Sequence, residues 1–325
     1  MATALRSLQL IPSLSLAKHV TPIDELARLR TALGPQCPRL LMKRDDLLSF
    51  GQGGNKVRKM QTVAAEAQRA GTDLLITCGG VQSNHARVTA ATGAVLGIPV
   101  ILVANGAPPN PLTGNARLDA LFGAEVRYVS SRAERNTTMA QIADDARARG
   151  GRPFVVPLGA STPLGAIGFA RGVEELATSP YRPTTIIHAT SSGGTQAGLI
   201  IGCALLGLAA KVVGISADDP AAALTVTIAE LLRGAATMLG AQPTTLGADV
   251  PIDVDDTCVG DGYGIPTPAS VAAMELVART EGIVLDPVYT AKAMAGLIAR
   301  VRCGQWHKDD AVLFWHTGGV PGYFA

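Results

Sequence analysis

The sequence has few aromatic side chains and no excess of charge of either sign. Only 4% of its 325 residues are aromatic, and 28 basic residues are balanced by 26 acidic ones, which leaves a net charge of +2. Proteins that bind single-stranded nucleic acid use aromatic stacking surfaces, and proteins that bind duplexes or anionic membranes use a basic patch. The composition therefore predicts neither a nucleic-acid partner nor a membrane partner.

Cysteine is also scarce, and the cysteines are widely spaced. The five are Cys37, Cys78, Cys203, Cys258 and Cys303. They lie at least 41 positions apart, so no CxxC pair or close Cys/His group can hold a metal, and we expect no metal site. An odd number of cysteines without a clear signal peptide indicates a reducing compartment. We expect a cytoplasmic protein whose cysteines are small buried apolar residues.

Long membrane-spanning runs are not evident either. The stretch 183–210 carries no formal charge, but the polar residues 190–196 divide it, and neither half reaches the ~20 apolar residues that a spanning helix needs. The patterns GxxxxGK[ST], GxGxxG, HExxH and GxSxG are missing as well, as is a close pair of catalytic carboxylates. These absences argue against nucleotide binding by the common loops and against zinc hydrolase, serine hydrolase and glycosidase chemistry.

From residue 40 onward, short β-type runs alternate with longer helical segments. This pattern is typical of parallel strands joined by crossover helices, and it predicts an α/β fold. The predicted strands are 40–43, 74–78, 100–104, 126–129, 154–156, 185–188, 212–216 and 311–315. The predicted helices are 56–70, 84–96, 135–149, 165–177, 196–208, 221–239, 270–280 and 291–302. Gly71 and Gly97 stand where two of these helices should end.

A glycine turn places Lys56 at the start of the first of these helices. The sequence there reads GGNKVRK from 53 to 59. A lysine held against a tight backbone turn can lose its proton and act as a nucleophilic amine. The same residues could equally form an ordinary basic helix start, so the stretch alone leaves both readings open.

Two further loops join a predicted strand to a predicted helix. In the loop 190–198, backbone N–H groups and hydroxyls converge at a helix N-terminus, which favours a phosphate or another anion over a plain tight turn. In the loop 78–85, Ser83, Asn84 and His85 follow a glycine pair at the carboxyl edge of the sheet, where α/β proteins bind ligands. Ser83 could simply cap the helix, but three consecutive polar residues exceed what capping requires.

Seven motifs follow one another along the chain. They are KRDD at 43–46, GGNKVRK at 53–59, QSNH at 82–85, SSGGTQAG at 191–198, YGIP at 263–266, DPVYTAKAMAGLI at 286–298 and HTGG at 316–319. In this order they resemble the family of D-cysteine desulfhydrases and 1-aminocyclopropane-1-carboxylate deaminases, which are pyridoxal-phosphate enzymes of the tryptophan-synthase-β type. The resemblance runs from about residue 21 to residue 324.

The resemblance implies roles for the matching residues. Lys56 corresponds to the lysine that binds pyridoxal 5'-phosphate covalently, Asn84 to the partner of its ring hydroxyl, and Thr317 to the hydroxyl that faces its ring nitrogen. The residues that correspond to the phosphate site are Ser192, Gly193, Gly194 and Thr195, with Lys59 as a further contact. Ser83, Tyr263 and Tyr289 correspond to the residues that face the substrate, and Ser83 would hold its carboxylate.

Two positions depart from the deaminase branch. The deaminases carry Glu after the second tyrosine and Gln after the Ser-Asn pair, whereas this chain has Thr290 and His85 there. A carboxylate on the ring nitrogen strengthens the electron sink for ring opening, and elimination of a good β leaving group needs less. We therefore expect a carbon–sulfur lyase that converts D-cysteine to pyruvate, ammonium and hydrogen sulfide. An L-cysteate sulfo-lyase, a cyclopropane deaminase and a non-catalytic amino-acid-binding protein remain the alternatives.

The resemblance also implies the architecture. Two open, mostly parallel-sheet α/β domains would hold the cofactor in the cleft between them, with 54–167 as the smaller domain and 1–53 and 168–325 as the larger. A small amino acid would be the substrate, and the protein would be a homodimer.

Overall fold

The computed structural model describes residues 2–16, 18–247, 249 and 251–325. The strands are β1 (Ile23–Glu25), β2 (Arg39–Arg44), β3 (Leu74–Gly80), β4 (Val100–Asn105), β5 (Glu125–Val129), β6 (Pro153–Val156), β7 (Thr185–Thr190), β8 (Lys211–Ser216), β9 (Asp253–Asp255) and β10 (Ala311–His316). The helices are α1 (Ala2–Leu10), α2 (Ala27–Leu33), α3 (Lys56–Arg69), α4 (Asn84–Leu96), α5 (Gly114–Leu121), α6 (Glu134–Ala148), α7 (Pro163–Thr178), α8 (Gly194–Leu206), α9 (Ala221–Leu239), α10 (Pro268–Glu281) and α11 (Thr290–Arg302).

The strands form two sheets. The larger sheet has the order β1-β2-β10-β7-β8-β9, in which only the β1–β2 pair is antiparallel. The smaller sheet, β5-β4-β3-β6, is parallel throughout. Every residue of β7 is buried, as expected for a central strand that is covered on both faces. The predicted α/β fold with two mostly parallel sheets is confirmed.

Each sheet belongs to a different part of the chain. The strands of the smaller sheet lie within 54–167, and those of the larger sheet lie within 1–53 and 168–325. Helix α7 runs without a break through the junction at 167 and 168, so the position of the boundary stays a prediction. Met1, Ala17, Ala248 and Val250, which belong to the range predicted for the larger domain, lie outside the described residues.

The predicted strands and helices all occur, with ends that shift by a few residues. Gly97 ends α4 with φ 66°, and Gly71 follows α3 with φ 65°, as the sequence predicts for helix stops. Helices α1, α2 and α5 and strands β1 and β9 were not predicted. Strands β1 and β9 have three residues each and are rich in Asp and Glu, so they show no apolar pattern and form only because a neighbouring strand pairs with them.

Helix α9 is long and apolar enough to cross a membrane by length and composition alone. The helix was predicted at 221–239, but not as a candidate membrane span. Its buried residues, among them Leu224, Ile228, Leu232 and Ala236, belong to one core cluster with residues of α7 and α8. A helix with one face in a protein core meets the same length and composition criteria as a spanning helix.

The cysteines are all free. Cys37, Cys78 and Cys203 are buried, as predicted, whereas Cys258 is half-buried and Cys303 is exposed. The prediction of burial is therefore wrong for Cys303, because this residue follows the last turn of α11, where the chain leaves the core.

Candidate active site

One cavity of about 280 Å³ lies where the carboxyl ends of strands from both sheets come together. The loops that follow β3, β6, β7, β8 and β10 all contribute to its wall. The predicted site residues that line it are Lys56, Ser83, Asn84, Ser192, Gly193, Thr195, Tyr263, Tyr289 and Thr317. The remaining two adjoin lining residues: Lys59 Nζ donates to Gly159 O at 3.2 Å, and Gly194 stands between Gly193 and Thr195. Residues from distant parts of the sequence thus meet at one place.

Lys56 opens α3 and is half-buried in the cavity wall. Its Nζ donates to Asn55 Oδ1 at 3.2 Å, and it forms no ion pair with a carboxylate of the described residues. Burial, reinforced by the charge of Arg87 and opposed by that of Asp286, lowers the pKa of Lys56 to about 8. The amine is therefore held close to the pH at which it becomes a nucleophile and a base.

Ser83 and Asn84 begin α4 at the end of β3. Ser83 Oγ accepts from the Ala86 amide at 3.2 Å, so it caps the helix and still lines the cavity. Asn84 Oδ1 accepts from Arg87 Nη1 at 2.8 Å and from Asn115 Nδ2 at 3.0 Å. Because two donors occupy this oxygen, the Asn84 Nδ2 group is free to donate into the cavity.

The loop between β7 and α8, residues 191–194 and called the anion loop below, presents the N-terminus of α8 to the same cavity. The first N–H group of α8, that of Gly194, donates to Ser192 O at 2.9 Å. The N–H groups that follow it in the first turn have no intrahelical acceptor, and the helix dipole makes this end attractive to an anion. Gly193 has φ 74°. A Cβ on Gly194 would come within 2.6 Å of Ser161 Oγ and 2.9 Å of Lys59 Nζ. The backbone can therefore lie this close to its neighbours only where glycine stands.

Lys59 is connected to this loop by hydrogen bonds. Its Nζ donates to Gly159 O at 3.2 Å and to Ser161 Oγ at 3.1 Å, and Ser161 Oγ lies 2.7 Å from Ser192 Oγ. Burial holds the pKa of Lys59 well below its ordinary value, and the charge of Lys56 acts in the same direction. Lys59 thus reaches the anion loop through Ser161, a residue that the sequence analysis missed.

Tyr263 and Tyr289 form a hydrogen-bonded pair that also lines the cavity. Their hydroxyl oxygens are 2.5 Å apart, and their rings meet edge to face at an interplanar angle of 66°. Burial raises the pKa of both phenols, that of Tyr289 well above its ordinary value. Both phenols therefore remain neutral near pH 7 and keep their protons.

Thr317 lines the cavity at the end of β10, and its carbonyl accepts from the Asn55 amide at 3.0 Å. Thr290 does not line it. The Thr290 hydroxyl donates to Asp286 Oδ1 at 2.6 Å, so it is engaged within α11 and its preceding turn. Asp286 also accepts from the backbone amides of 288–290, and the side chain of Thr290 serves this cap of α11.

His85 is buried and neutral. The Thr77 hydroxyl donates to Val156 O at 2.7 Å, so His85 Nε2, 2.8 Å from Thr77 Oγ1, must be the donor of that pair. Burial holds the pKa of His85 well below its ordinary value, and the charges of Lys56 and Lys59 act in the same direction. His85 therefore adds no positive charge beside the two lysines.

Several lining residues escaped the sequence analysis. Asn55 Nδ2 donates to Thr195 Oγ1 at 2.8 Å and so joins the glycine turn before Lys56 to the start of α8. Arg132 and Asp218 form an ion pair at 3.1 Å, and the Arg132 guanidinium lies 4.8 Å from the centre of the Tyr263 ring. Asn55 stands in the GGNK motif and could have been found there. Arg132 and Asp218 follow strands of different sheets and carry no local signal.

Comparison with known proteins gives the family. Residues 14–318 match the family described as pyridoxal-phosphate dependent enzymes. The chain belongs to this family. It is 38% identical to a D-cysteine desulfhydrase of Yersinia enterocolitica (97% of this chain, 96% of the relative) and 36% identical to one of Yersinia pestis (99% and 98%). The crystal structure of a protein described as an ACC deaminase homologue superposes with a TM-score of 0.91 at 34% identity, covering 100% of this chain and 97% of that one.

The cavity suits the cofactor of this family. Pyridoxal phosphate carries a phosphate, a ring hydroxyl and an aldehyde carbon that takes a lysine amine. The cavity offers a glycine-lined helix N-terminus, the free Asn84 Nδ2 and the Lys56 amine with its lowered pKa. No cluster of three or more His, Cys, Asp or Glu residues that could hold a metal is found in the described ranges.

Proposed function

We propose that the chain is a pyridoxal-phosphate-dependent lyase that removes the β substituent of a small amino acid, with D-cysteine as substrate and pyruvate, ammonium and hydrogen sulfide as products. The observation that carries the proposal is that Lys56, the anion loop and the tyrosine pair all line one cavity. The D-cysteine desulfhydrases of two Yersinia species, similar over nearly the whole chain, support the choice of substrate.

The residues would hold the cofactor at four points. Lys56 would bind it covalently, Asn84 Nδ2 would donate to its ring hydroxyl, and Thr317 would face its ring nitrogen. The phosphate would lie at Ser192, Gly193, Gly194 and Thr195, with Lys59 supporting this loop through Ser161. When bound, pyridoxal phosphate withdraws electrons from the substrate α-carbon and so makes its proton removable.

The side chains would then move protons and orient the substrate. Once the substrate amine has taken its place, Lys56 Nζ is free to accept the α-proton, and the pKa of about 8 suits this role near neutral pH. Ser83 and the neighbouring amides would hold the substrate carboxylate. The neutral pair Tyr263 and Tyr289 can donate a hydrogen bond to the departing sulfur, because the phenols keep their protons in this environment.

A second candidate is 1-aminocyclopropane-1-carboxylate deamination, which the similarity to the ACC deaminase homologue favours. The two reactions differ in product, since ring opening gives 2-oxobutyrate and β-elimination gives pyruvate. Thr317 is neutral and Thr290 is turned toward Asp286, so neither supplies a carboxylate to a ring nitrogen. This geometry supports the elimination.

The function is tested with a substrate panel. The purified holoenzyme would receive D-cysteine, L-cysteine, L-cysteate and 1-aminocyclopropane-1-carboxylate, and pyruvate, 2-oxobutyrate, sulfide and sulfite would be measured. We expect pyruvate and sulfide in equal amounts from D-cysteine. If the main product is sulfite from L-cysteate or 2-oxobutyrate from 1-aminocyclopropane-1-carboxylate, that compound replaces D-cysteine as the proposed substrate. Tight binding of an amino acid without turnover would indicate a binding protein.

We also propose that the protein is a cytoplasmic homodimer with domains at 54–167 and at 1–53 with 168–325. The free cysteines suit a reducing compartment, and the division of the sheets suits these ranges. Light scattering on the purified protein should give about twice the chain mass of 33.4 kDa. A mass of one chain would overturn the dimer.

A further inference from the structure

Lys292 is a fully buried lysine that the proposed reaction does not use. It lies in the first turn of α11, three residues after Tyr289, within the DPVYTAKAMAGLI motif. Its Nζ donates to three backbone carbonyls, those of Val259 at 2.7 Å, Gly262 at 2.9 Å and Ala217 at 3.4 Å. Lys292 forms no salt bridge with any carboxylate in the part of the chain that the structure describes.

These carbonyls belong to two loops that bear residues of the cavity. Gly262 directly precedes Tyr263, and Ala217 directly precedes Asp218. Both side chains contact Arg132, which comes from the smaller sheet's part of the chain, so Tyr263, Asp218 and Arg132 form one wall of the cavity. The Lys292 ammonium group therefore links the backbone next to Tyr263 and Asp218 to α11, the helix that begins directly after Tyr289.

A buried ammonium group that donates only to carbonyls is a costly way to join two loops, even with the charge of Asp218 acting in its favour. An apolar side chain of the same volume would avoid the desolvation penalty of the ammonium group. An ammonium group is, however, a compact point charge with three donors, so it can hold three carbonyl oxygens that converge from different segments. A lysine at this position therefore indicates that holding the three carbonyl oxygens together is important to the protein.

We propose that Lys292 is a positioning residue that fixes Tyr263 and Asp218 at the cavity through an internal cation site made of three backbone carbonyls. A ring of carbonyl oxygens can also hold a potassium ion. A chain that lacks the Lys292 side chain should therefore accept a free monovalent cation in its place. The inference rests on the proposed function only where it concerns the role of Tyr263 in turnover.

The test compares three variants of the holoenzyme with a matched control. Lys292→Met removes the donors, Lys292→Gln keeps two N–H donors, and Lys292→Ala opens space for a cation. Lys211→Met is the control, because Lys211 is an exposed lysine on β8, the strand that leads to Ala217. Hydrogen exchange of the segments 216–219 and 259–264 is measured with kcat and KM, in potassium, ammonium and tetramethylammonium chloride.

We expect faster exchange in both segments of Lys292→Met, a smaller change in Lys292→Gln and none in Lys211→Met. A misplaced catalytic group costs up to about 100-fold, so kcat of Lys292→Met should fall about 10- to 100-fold at unchanged cofactor content. In Lys292→Ala, potassium or ammonium should restore both protection and kcat, whereas tetramethylammonium is too large to enter.

The proposal is overturned if Lys292→Met exchanges like the wild type in both segments, or if no cation changes the exchange of Lys292→Ala. If Lys292→Ala does not fold in any salt, equal loss of protection in the Met and Gln variants overturns it, and retained protection in the Gln variant supports it. The exchange measurements do not depend on turnover. Failure of the proposed substrate therefore leaves this test intact.

Discussion

At the scale of single residues, the reactivity of Lys56 follows from where it lies. Burial is the main cause of its lowered pKa, and Arg87 adds to the effect. At pH 7 an amine with a pKa of about 8 is neutral in about a tenth of the molecules, and an ordinary lysine is neutral in fewer than about one in a thousand. The site therefore supplies an unprotonated amine at neutral pH in a usable fraction of the molecules.

This lowered pKa predicts a pH profile for the cofactor-free protein. The neutral fraction of Lys56 grows as pH rises to about 8 and levels off above that value. The rate of acylation at Lys56, followed by peptide mass spectrometry, should therefore rise up to pH 8–9 and then flatten. The exposed Lys211 serves as an internal reference. A rate at Lys56 that still rises steeply beyond pH 10 would contradict the assignment.

The orientation of Asn84 depends on neighbours that are distant in sequence. Arg87 Nη1 and Asn115 Nδ2 both donate to its Oδ1. Arg87 Nη2 also donates to Gly53 O at 2.8 Å, in the glycine turn that precedes Lys56. Arg87 therefore links the two cofactor contacts that the sequence predicts. Asn115, on α5, adds the second constraint.

Asn115→Ala should weaken cofactor binding without changing charge. A hydrogen bond of this kind contributes about 0.5–1.5 kcal/mol, so the dissociation constant for pyridoxal phosphate should rise about 2- to 10-fold. Titration of the cofactor-free protein, followed by absorbance, measures it. Asn136→Ala, an exposed asparagine on α6, is the control. Equal affinities in the two variants would show that Asn115 does not orient Asn84.

Much of the site could be predicted from the residues that follow strands and glycine turns. Lys56, Ser83, Asn84 and Thr195 stand at such places, and the cavity brings them together. Asn115 and Ser161 could not be predicted, because they act through hydrogen bonds to residues that are far away in the sequence. Their contribution depends on the order of strands in the sheet, which local patterns do not contain.

At the scale of secondary-structure elements, the N-terminus of α8 depends on the absence of a side chain at Gly194. A Cβ there would come within 2.9 Å of both Lys59 Nζ and the Ser161 backbone. The loop must shift to admit it, because the Ser161 backbone cannot rotate away. The geometry that presents the first N–H groups of α8 is therefore sensitive to a single methyl group.

Gly194→Ala should accordingly weaken cofactor binding. Overpacking of this kind costs about 1–3 kcal/mol, which corresponds to about 5- to 150-fold in the dissociation constant. Gly322→Ala is the matched control, because a Cβ at Gly322 would meet nothing within 4 Å. Cofactor titration of both variants decides the matter. Wild-type affinity in Gly194→Ala would show that the cofactor phosphate lies elsewhere.

The long elements of the fold could be predicted and the short ones could not. Helices such as α3 and α11 carry many apolar residues over more than three turns, which gives a periodic pattern. Helix α5 has eight residues and follows a loop rich in Gly and Pro, so its pattern is too short to recognise. Packing against the rest of the molecule stabilises such elements more than their own sequence does.

At the scale of the whole molecule, a buried ion network joins the two parts of the chain. Arg58 of α3, a helix that packs on the smaller sheet, donates to Asp45 at 2.7 and 2.8 Å and to Glu175 of α7 at 2.7 Å. Trp315 Nε1 of the larger sheet donates to Asp45 at 2.7 Å, and Lys43 donates to Glu175 at 2.5 Å. The KRDD motif thus stabilises the junction beneath the cavity.

Asp45→Asn should destabilise the protein strongly, because it leaves Arg58 buried with only part of its compensation. Breaking a buried pair costs about 3–5 kcal/mol, whereas an exposed pair contributes about 1 kcal/mol or less. Urea unfolding of the holoenzyme measures the difference. Glu66→Gln, which breaks the exposed pair with Arg69, is the control. Similar losses in the two variants would contradict the role given to the network.

The central claim is that Lys56 binds the cofactor covalently. Lys59 lies three residues further along the same helix, is also buried and also has a lowered pKa, so it is the strongest competitor. Borohydride reduction of the holoenzyme, followed by peptide mass spectrometry, locates the attachment directly. We expect a pyridoxyl phosphate group on Lys56 alone. A group on Lys59 or on any other lysine would contradict it.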